Sequence, residues 1–160
     1  MKLLVAAIGH LKSGAEKELA ADYEARIKAT GKQAGISALL IKDWAESRLA
    51  NAAQRTAAEA INLWSGVPEA TPVVVLDERG PAMSSAAFAR FLGQQADGGS
   101  KQLTFMIGGP DGHDPETRAK ATVLLGFGPM TFPHRLVRVM LLEQIYRAVT
   151  ILVNHPYHRN

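Results

Sequence analysis

The sequence predicts an α/β fold: a mostly parallel sheet with helices on both faces. Three observations carry that expectation. Five short apolar runs recur along the 160 residues. Stretches with helix-starting and helix-stopping chemistry lie between them, and strict alternation of that kind builds parallel sheets. Residues 1–160 contain no internal repeat, low-complexity tract or linker, so they read as one domain.

The strand-like runs are residues 3–8, 36–41, 72–76, 103–107 and 122–127, the last being the weakest. They are apolar throughout instead of alternating, as expected of strands covered on both faces. The first helix is expected over 14–29, with Ser13 and Glu16 in capping-box spacing. Asp43 and Glu46 repeat that spacing ahead of an Ala-rich stretch that runs to about Trp64. Ser84 or Ser85 can cap a segment ending near Gln95, and Asp114-Pro115 reads as an N-cap followed by proline at the first helical position. The final helix, 135–153, is apolar around most of its circumference. A helix of that kind is buried in a core or an interface, and at the end of a short chain it suggests a dimer contact.

Composition narrows the function. Hydrophobic residues make up 47% and charged residues 21%, which describes a globular protein and argues against disorder. The absence of cysteine excludes disulfides, thiolate metal sites and cysteine nucleophiles, and suits a reducing cytosol, so a cytoplasmic location is expected. Neither a membrane-length apolar run nor a secretory signal is visible. The net charge of +3 is localised: residues 131–160 hold Arg135, Arg138, Arg147 and Arg159 against Glu143 alone. A basic end on a neutral body suggests an anionic partner, and equally fits a helix with solvated arginines.

Parallel sheets bind ligands beyond the C-terminal ends of their strands. Three consecutive expected strand ends carry glycine or proline: 76–80, 107–112 and 126–134. Each glycine lets the backbone approach a ligand. A phosphate-loop motif and a dinucleotide fingerprint are both missing, and the loops 108–112 and 126–133 hold no lysine or arginine. They suit a small ligand with an aromatic base read by backbone groups. Asp77 and Glu78 read as a solvated turn, because adjacent carboxylates on a strand end point apart. His155 and His158 lack a third ligand for zinc, so no metal is expected. His10 and His113 stay unassigned loop residues. The tail 154–160 carries Tyr157, His158 and Arg159, which fits stacking on an unpaired nucleic-acid base and also fits a frayed end.

Gly108-Gly109-Pro110-Asp111-Gly112, Thr131-Phe132-Pro133-His134-Arg135-Leu136-Val137-Arg138, Glu143-Gln144-Ile145-Tyr146-Arg147-Ala148 and Asn154-His155-Pro156-Tyr157-His158-Arg159 together carry a resemblance. Over its whole length the chain resembles the large-subunit ribosomal RNA methyltransferase H family. These are SPOUT-class enzymes that methylate the N3 atom of a pseudouridine in 23S rRNA. The resemblance implies an α/β fold with a C-terminal trefoil knot, S-adenosylmethionine as cofactor, and a homodimer whose site is completed by the partner's tail. By position it implies cofactor contacts at Leu76, Gly108, Phe127, Gly128, Pro129, Met130, Thr131 and Phe132. Residues 126–130 form a glycine-rich stretch where the family itself varies.

Methyl transfer to a ring nitrogen needs an oriented acceptor and a favoured anion, so Arg159 and His158 are expected to orient the substrate and stabilise its charge, and Tyr157 to stack on it or hydrogen bond to it. His134, Arg135, Arg138 and Arg147 are expected at RNA phosphates, although some could pair with Glu143 or the partner chain. A chain this short carries no appended RNA-binding domain, so its target is expected to be preassembled, either the large subunit or the joined ribosome. Two alternatives stay open: a ribosome-binding protein that keeps the fold without turnover, and a SPOUT methyltransferase acting on tRNA.

Overall fold

The computed structural model describes residues 1–157. Five strands form one sheet: β1 (Lys2–Ile8), β2 (Ala38–Trp44), β3 (Val73–Leu76), β4 (Gln102–Ile107) and β5 (Val123–Leu125). Their order across the sheet is β2-β1-β4-β3-β5, and every pairing is parallel. All five C-terminal ends therefore open on one edge.

Two helical layers cover the sheet. Leu3, Val5 and Ala7 of β1 face a cluster built with α1 (Ala15–Thr30), α3 (Ser85–Asp97) and α5 (His134–Leu152). Leu4, Ala6 and Ile8 face Leu63 and Trp64 of α2 (Ala52–Trp64), and Ala121 just beyond α4 (Pro115–Lys120). β1 is apolar at each successive position because both of its faces meet helices. Residues 3–8 are accordingly buried, at 2% exposure or less.

Local chemistry explains several boundaries. Ser84 Oγ accepts from the Ala87 N–H, and Asp114 Oδ1 accepts from the Thr117 N–H with Pro115 opening α4. Each satisfies one backbone donor that a helix start leaves unpaired. The capping box expected at Ser13 does not form. Gly14 occupies the N-cap position and makes no side-chain cap, while its carbonyl accepts from Lys17 and Glu18. Asp43 is not a cap either. It lies within β2, opposite Ala7, and α2 starts nine residues later behind Asn51, whose side chain accepts from the Gln54 N–H. β2 also begins two residues later than the apolar run, because Ile36 is spent closing the turn after α1, where its N–H bonds the Gly31 carbonyl.

The last helix is apolar nearly all round for an internal reason. It lies between α1, α3 and the sheet, which bury Val139, Leu141, Leu142, Ile145 and Val149. Its apolarity alone therefore demands no second chain. Leu136 and Leu152 remain exposed on it.

Candidate active site

Where β3, β4 and β5 end, the three following loops and the start of α5 enclose a cavity of about 580 Å³. That volume suits a nucleoside-sized ligand. Backbone packs on backbone at its base. A Cβ on Gly108 would stand 2.6 Å from the Gly112 carbonyl oxygen, and one on Gly126 would strike the Gly80 carbonyl. The loop after β4 closes through a Gly112 N–H to Gly109 carbonyl bond of 3.0 Å. The loops after β3 and β5 are joined by the Asp77 N–H to Leu125 carbonyl bond and the Gly126 N–H to Pro81 carbonyl bond. Glycine is required here by close approach of main chains.

Of the expected cofactor residues, Leu76, Gly108, Phe127, Met130, Thr131 and Phe132 line this cavity. Gly128 and Pro129 sit on the same loop, outside the lining set. Thr131 donates its hydroxyl to Glu78 Oε2 at 2.7 Å, which joins the β5 loop to the β3 loop. The Asp77 side chain is only 5% exposed and pairs with Arg118 at 3.0 Å, so the expected solvated turn holds for Glu78 but not for Asp77.

A charged side chain on α2 holds the 108–112 loop. Arg55 grips Asp111 with two bonds of 2.7 and 3.0 Å, and the guanidinium keeps that carboxyl below its ordinary range. Beneath the loop, Glu59 Oε1 accepts from the Ser47 N–H, and burial pushes this carboxyl up. His113, at the end of the loop, is buried and lines the cavity. Neither of its ring nitrogens has a hydrogen-bond partner, and burial lowers its pKa. Sequence reasoning left His113 unassigned and missed Arg55 and Glu59. A histidine directly after a Gly-rich strand end was the one signal available.

The expected RNA contacts divide. Arg135 is exposed in the first turn of α5. His134 lines the cavity, with the Glu46 carboxylate 3.4 Å away but outside hydrogen-bond geometry, and burial lowers its pKa. Arg138 is 2% exposed and committed inward: it donates to Asp43 Oδ2 at 2.7 Å and to the Gly9 carbonyl. A phosphate contact does not fit that burial. Arg147 pairs with Glu143 one helical turn away, and it also lies over the Tyr157 ring, 5.2 Å from its centroid.

Tyr157 itself folds back on α5. Its ring packs 4.7 Å from that of Tyr146, and its hydroxyl donates to Glu143 Oε1 at 3.3 Å. Burial raises the phenol pKa. Tyr157 and Arg147 thus form a cluster along α5, apart from the residues lining the cavity. The expected catalytic residues His158 and Arg159 lie outside the described residues. Among the described residues there is no group of three His, Asp or Glu side chains that could hold a metal, and no helix long and apolar enough to cross a membrane.

Residues 1–158 match the family described as "Predicted SPOUT methyltransferase". A Rhodopseudomonas palustris (strain HaA2) protein named ribosomal RNA large subunit methyltransferase H is 51% identical over 159 residues, covering 99% of both chains. Proteins of the same name from Bradyrhizobium diazoefficiens and Rhizobium meliloti (strain 1021) are 48% and 46% identical over the same share. Among solved structures, a probable methylase family protein from Haemophilus influenzae Rd KW20 superposes with a TM-score of 0.52 at 11% identity. That match covers 95% of this chain and 66% of the other, and it supports the fold.

Proposed function

The chain belongs to the SPOUT methyltransferase family, and from that premise we propose that it methylates the N3 atom of a pseudouridine in 23S rRNA of the large ribosomal subunit, on assembled ribosomes in the cytoplasm. The observation that carries the proposal is a coincidence of position. The cavity beyond β3, β4 and β5 is lined by Leu76, Gly108, Phe127, Met130, Thr131 and Phe132, six of the eight positions the resemblance assigns to cofactor.

The cavity fits S-adenosylmethionine. Gly108 lines the cavity where the Gly112 carbonyl packs on it, which brings the main chain of the 108–112 loop to the cavity wall. Phe127, Met130 and Phe132 provide apolar wall for an adenine base, and the loops 108–112 and 126–133 add no cationic side chain that would repel a sulfonium. When bound, the donor supplies an electrophilic methyl carbon.

The protein's part is to present the acceptor nitrogen and favour loss of its proton. Holding two reactants in line supplies much of the barrier reduction in such a transfer. A cation beside the uracil-type ring favours the anion, which is the better nucleophile. Arg159 takes that role, with His158 orienting the ring and Tyr157 stacking on it or hydrogen bonding to it. Arg135 contacts a phosphate. Arg147 positions Tyr157 through the contact described above. Because Tyr157 lies along α5 rather than in the cavity lining, we assign the tail to the site of a second copy. The exposed Leu136 and Leu152 on α5 offer apolar area for that homodimer. For the implied C-terminal trefoil knot, the support is the close joining of the loops after β3 and β5, through the parallel Ala82–Gly126 bridge and the packing of Gly80 on Gly126.

The test is methyl transfer from labelled S-adenosylmethionine to unmodified free large subunits, joined ribosomes, naked rRNA and bulk tRNA, with the labelled base mapped. Label on one pseudouridine of 23S rRNA in joined ribosomes is the expected result. Label confined to tRNA would replace the substrate. Donor binding without transfer to any acceptor would leave a ribosome-binding protein.

A further inference from the structure

We infer that His113 is a positioning residue of the methyl-donor site, and that its imidazole hydrogen bonds to the polar edge of the donor's adenosine moiety. The inference rests on the proposed cofactor site and adds to it a side chain that the resemblance does not assign.

The argument begins with what the fold leaves unexplained. His113 is 9% exposed, it lines the cavity, and both Nδ1 and Nε2 lack a partner. A neutral imidazole carries one donor and one acceptor. Here both are unmet within the protein. Burying unmet polar atoms is unfavourable, whereas a leucine would fill similar space without that cost. Packing therefore accounts for the size of this side chain and not for its polarity. A ligand that brings both an acceptor and a donor accounts for both.

Position narrows the ligand. Nε2 lies 3.2 Å from where a Gly108 Cβ would be, so the ring sits against the strand end that the site assigns to the donor. The Leu76 carbonyl lies beside the ring without meeting hydrogen-bond geometry. The imidazole thus lies between the ends of β3 and β4. Burial favours its neutral form, the Asp77 and Asp114 carboxylates oppose that, and Arg118 reinforces it. A neutral ring does not repel a sulfonium. The 6-amino group and ring nitrogens of adenine, or the ribose hydroxyls, offer the matching donor and acceptor. The zwitterionic methionine end has better partners in Glu78 and Arg79, which also line the cavity.

Both nitrogens are screened from solvent, so donor binding must be accompanied by a small opening around the ring. The 108–112 loop is pinned from outside by Arg55 and Asp111, while the side of Gly112 where a Cβ would stand is open.

The experiment compares wild type, H113L and H113Q as full-length protein. Calorimetry gives the Kd for S-adenosylmethionine and S-adenosylhomocysteine, and nitrogen NMR follows the histidine side chains during titration with S-adenosylhomocysteine. Expected are a Kd about tenfold weaker in H113L, recovery to within about threefold in H113Q, and a large shift of the His113 ring resonances in wild type. Equal affinities in all three proteins, with unmoved His113 resonances, would overturn the inference while leaving the cofactor site intact. If H113L does not fold, the H113Q affinity and the wild-type resonances decide the matter. Wild type that binds neither compound would overturn the cofactor site and this inference together.

Discussion

Replacing Arg138 with methionine isolates a buried guanidinium that joins three elements. From α5, Arg138 reaches Asp43 near the end of β2 and the carbonyl of Gly9 just beyond β1. His10 Nδ1 occupies the other Asp43 oxygen at 2.7 Å. Removing one partner of a buried pair costs roughly 3–5 kcal/mol. Asp43 is 28% exposed, so water can reach the abandoned carboxylate and the ion-pair part falls to about 2 kcal/mol. The Gly9 carbonyl, left without its donor, adds about 1 kcal/mol. The sum is about 3 kcal/mol, or a melting temperature lower by about 6–12 °C at this chain length. Scanning calorimetry at pH 7.5 reads it. D43N and the double variant complete the cycle, and the two single effects should be less than additive. An R138M protein that melts within about 2 °C of wild type would refute the reasoning. Should that protein also fail to bind ribosomes, the phosphate role expected from sequence would be restored.

Three further outcomes are expected. His113 and His134 have pKa values below the ordinary 6.5, so the unfolded chain takes up their protons first as pH falls. Their contribution is complete above 6.5 and is lost below it, and denaturant midpoints at pH 7.5 and 5.5 should show the loss, smaller in H113L. Asp43 adds a second decline at lower pH: burial opposes its ionisation, but His10 and Arg138 outweigh burial and hold its pKa below 3.8. Gly126→Ala should lower donor affinity and stability together, by about 1–3 kcal/mol of overpacking, because the new methyl meets the Gly80 carbonyl; calorimetric binding and melting check both. Arg55→Ala should weaken donor binding about fivefold, read by calorimetry, while leaving the melting temperature within about 2 °C, since the Asp111 pair steadies a loop and not the core.

The sheet was legible because its strands are buried on both faces and stay apolar throughout. The position of the cavity followed, since parallel strands send their glycine-bearing ends to one edge. What escaped were pairings across long separations. Asp43 has the spacing of a helix cap, and nothing local reveals that its partner Arg138 is 95 residues away. Arg55 and Asp111 are 56 residues apart, and nothing local to either reveals the other. The arginines of residues 131–160 looked like one basic surface, yet Arg138 points inward and Arg147 is half-buried against Glu143. A count of charge along a helix does not see which side of the helix faces the core.

The strand order has a consequence for how the chain is made. β1 is synthesised before the other four strands of the sheet, and it lies inside it, with Lys2 paired on one side to Ala38 and on the other to Gln102. At about 5–20 residues per second, its second edge stays unpaired for several seconds after β2 has emerged. During that interval the backbone of an apolar segment, Lys2–Ile8, stands open to other chains. The α5 helix that covers one face of β1 leaves the ribosome after all five strands. Pairings this distant in sequence fold slowly. Newly made protein should therefore depend on chaperones holding β1 apart from its neighbours, and refolding from denaturant should lose yield as concentration rises.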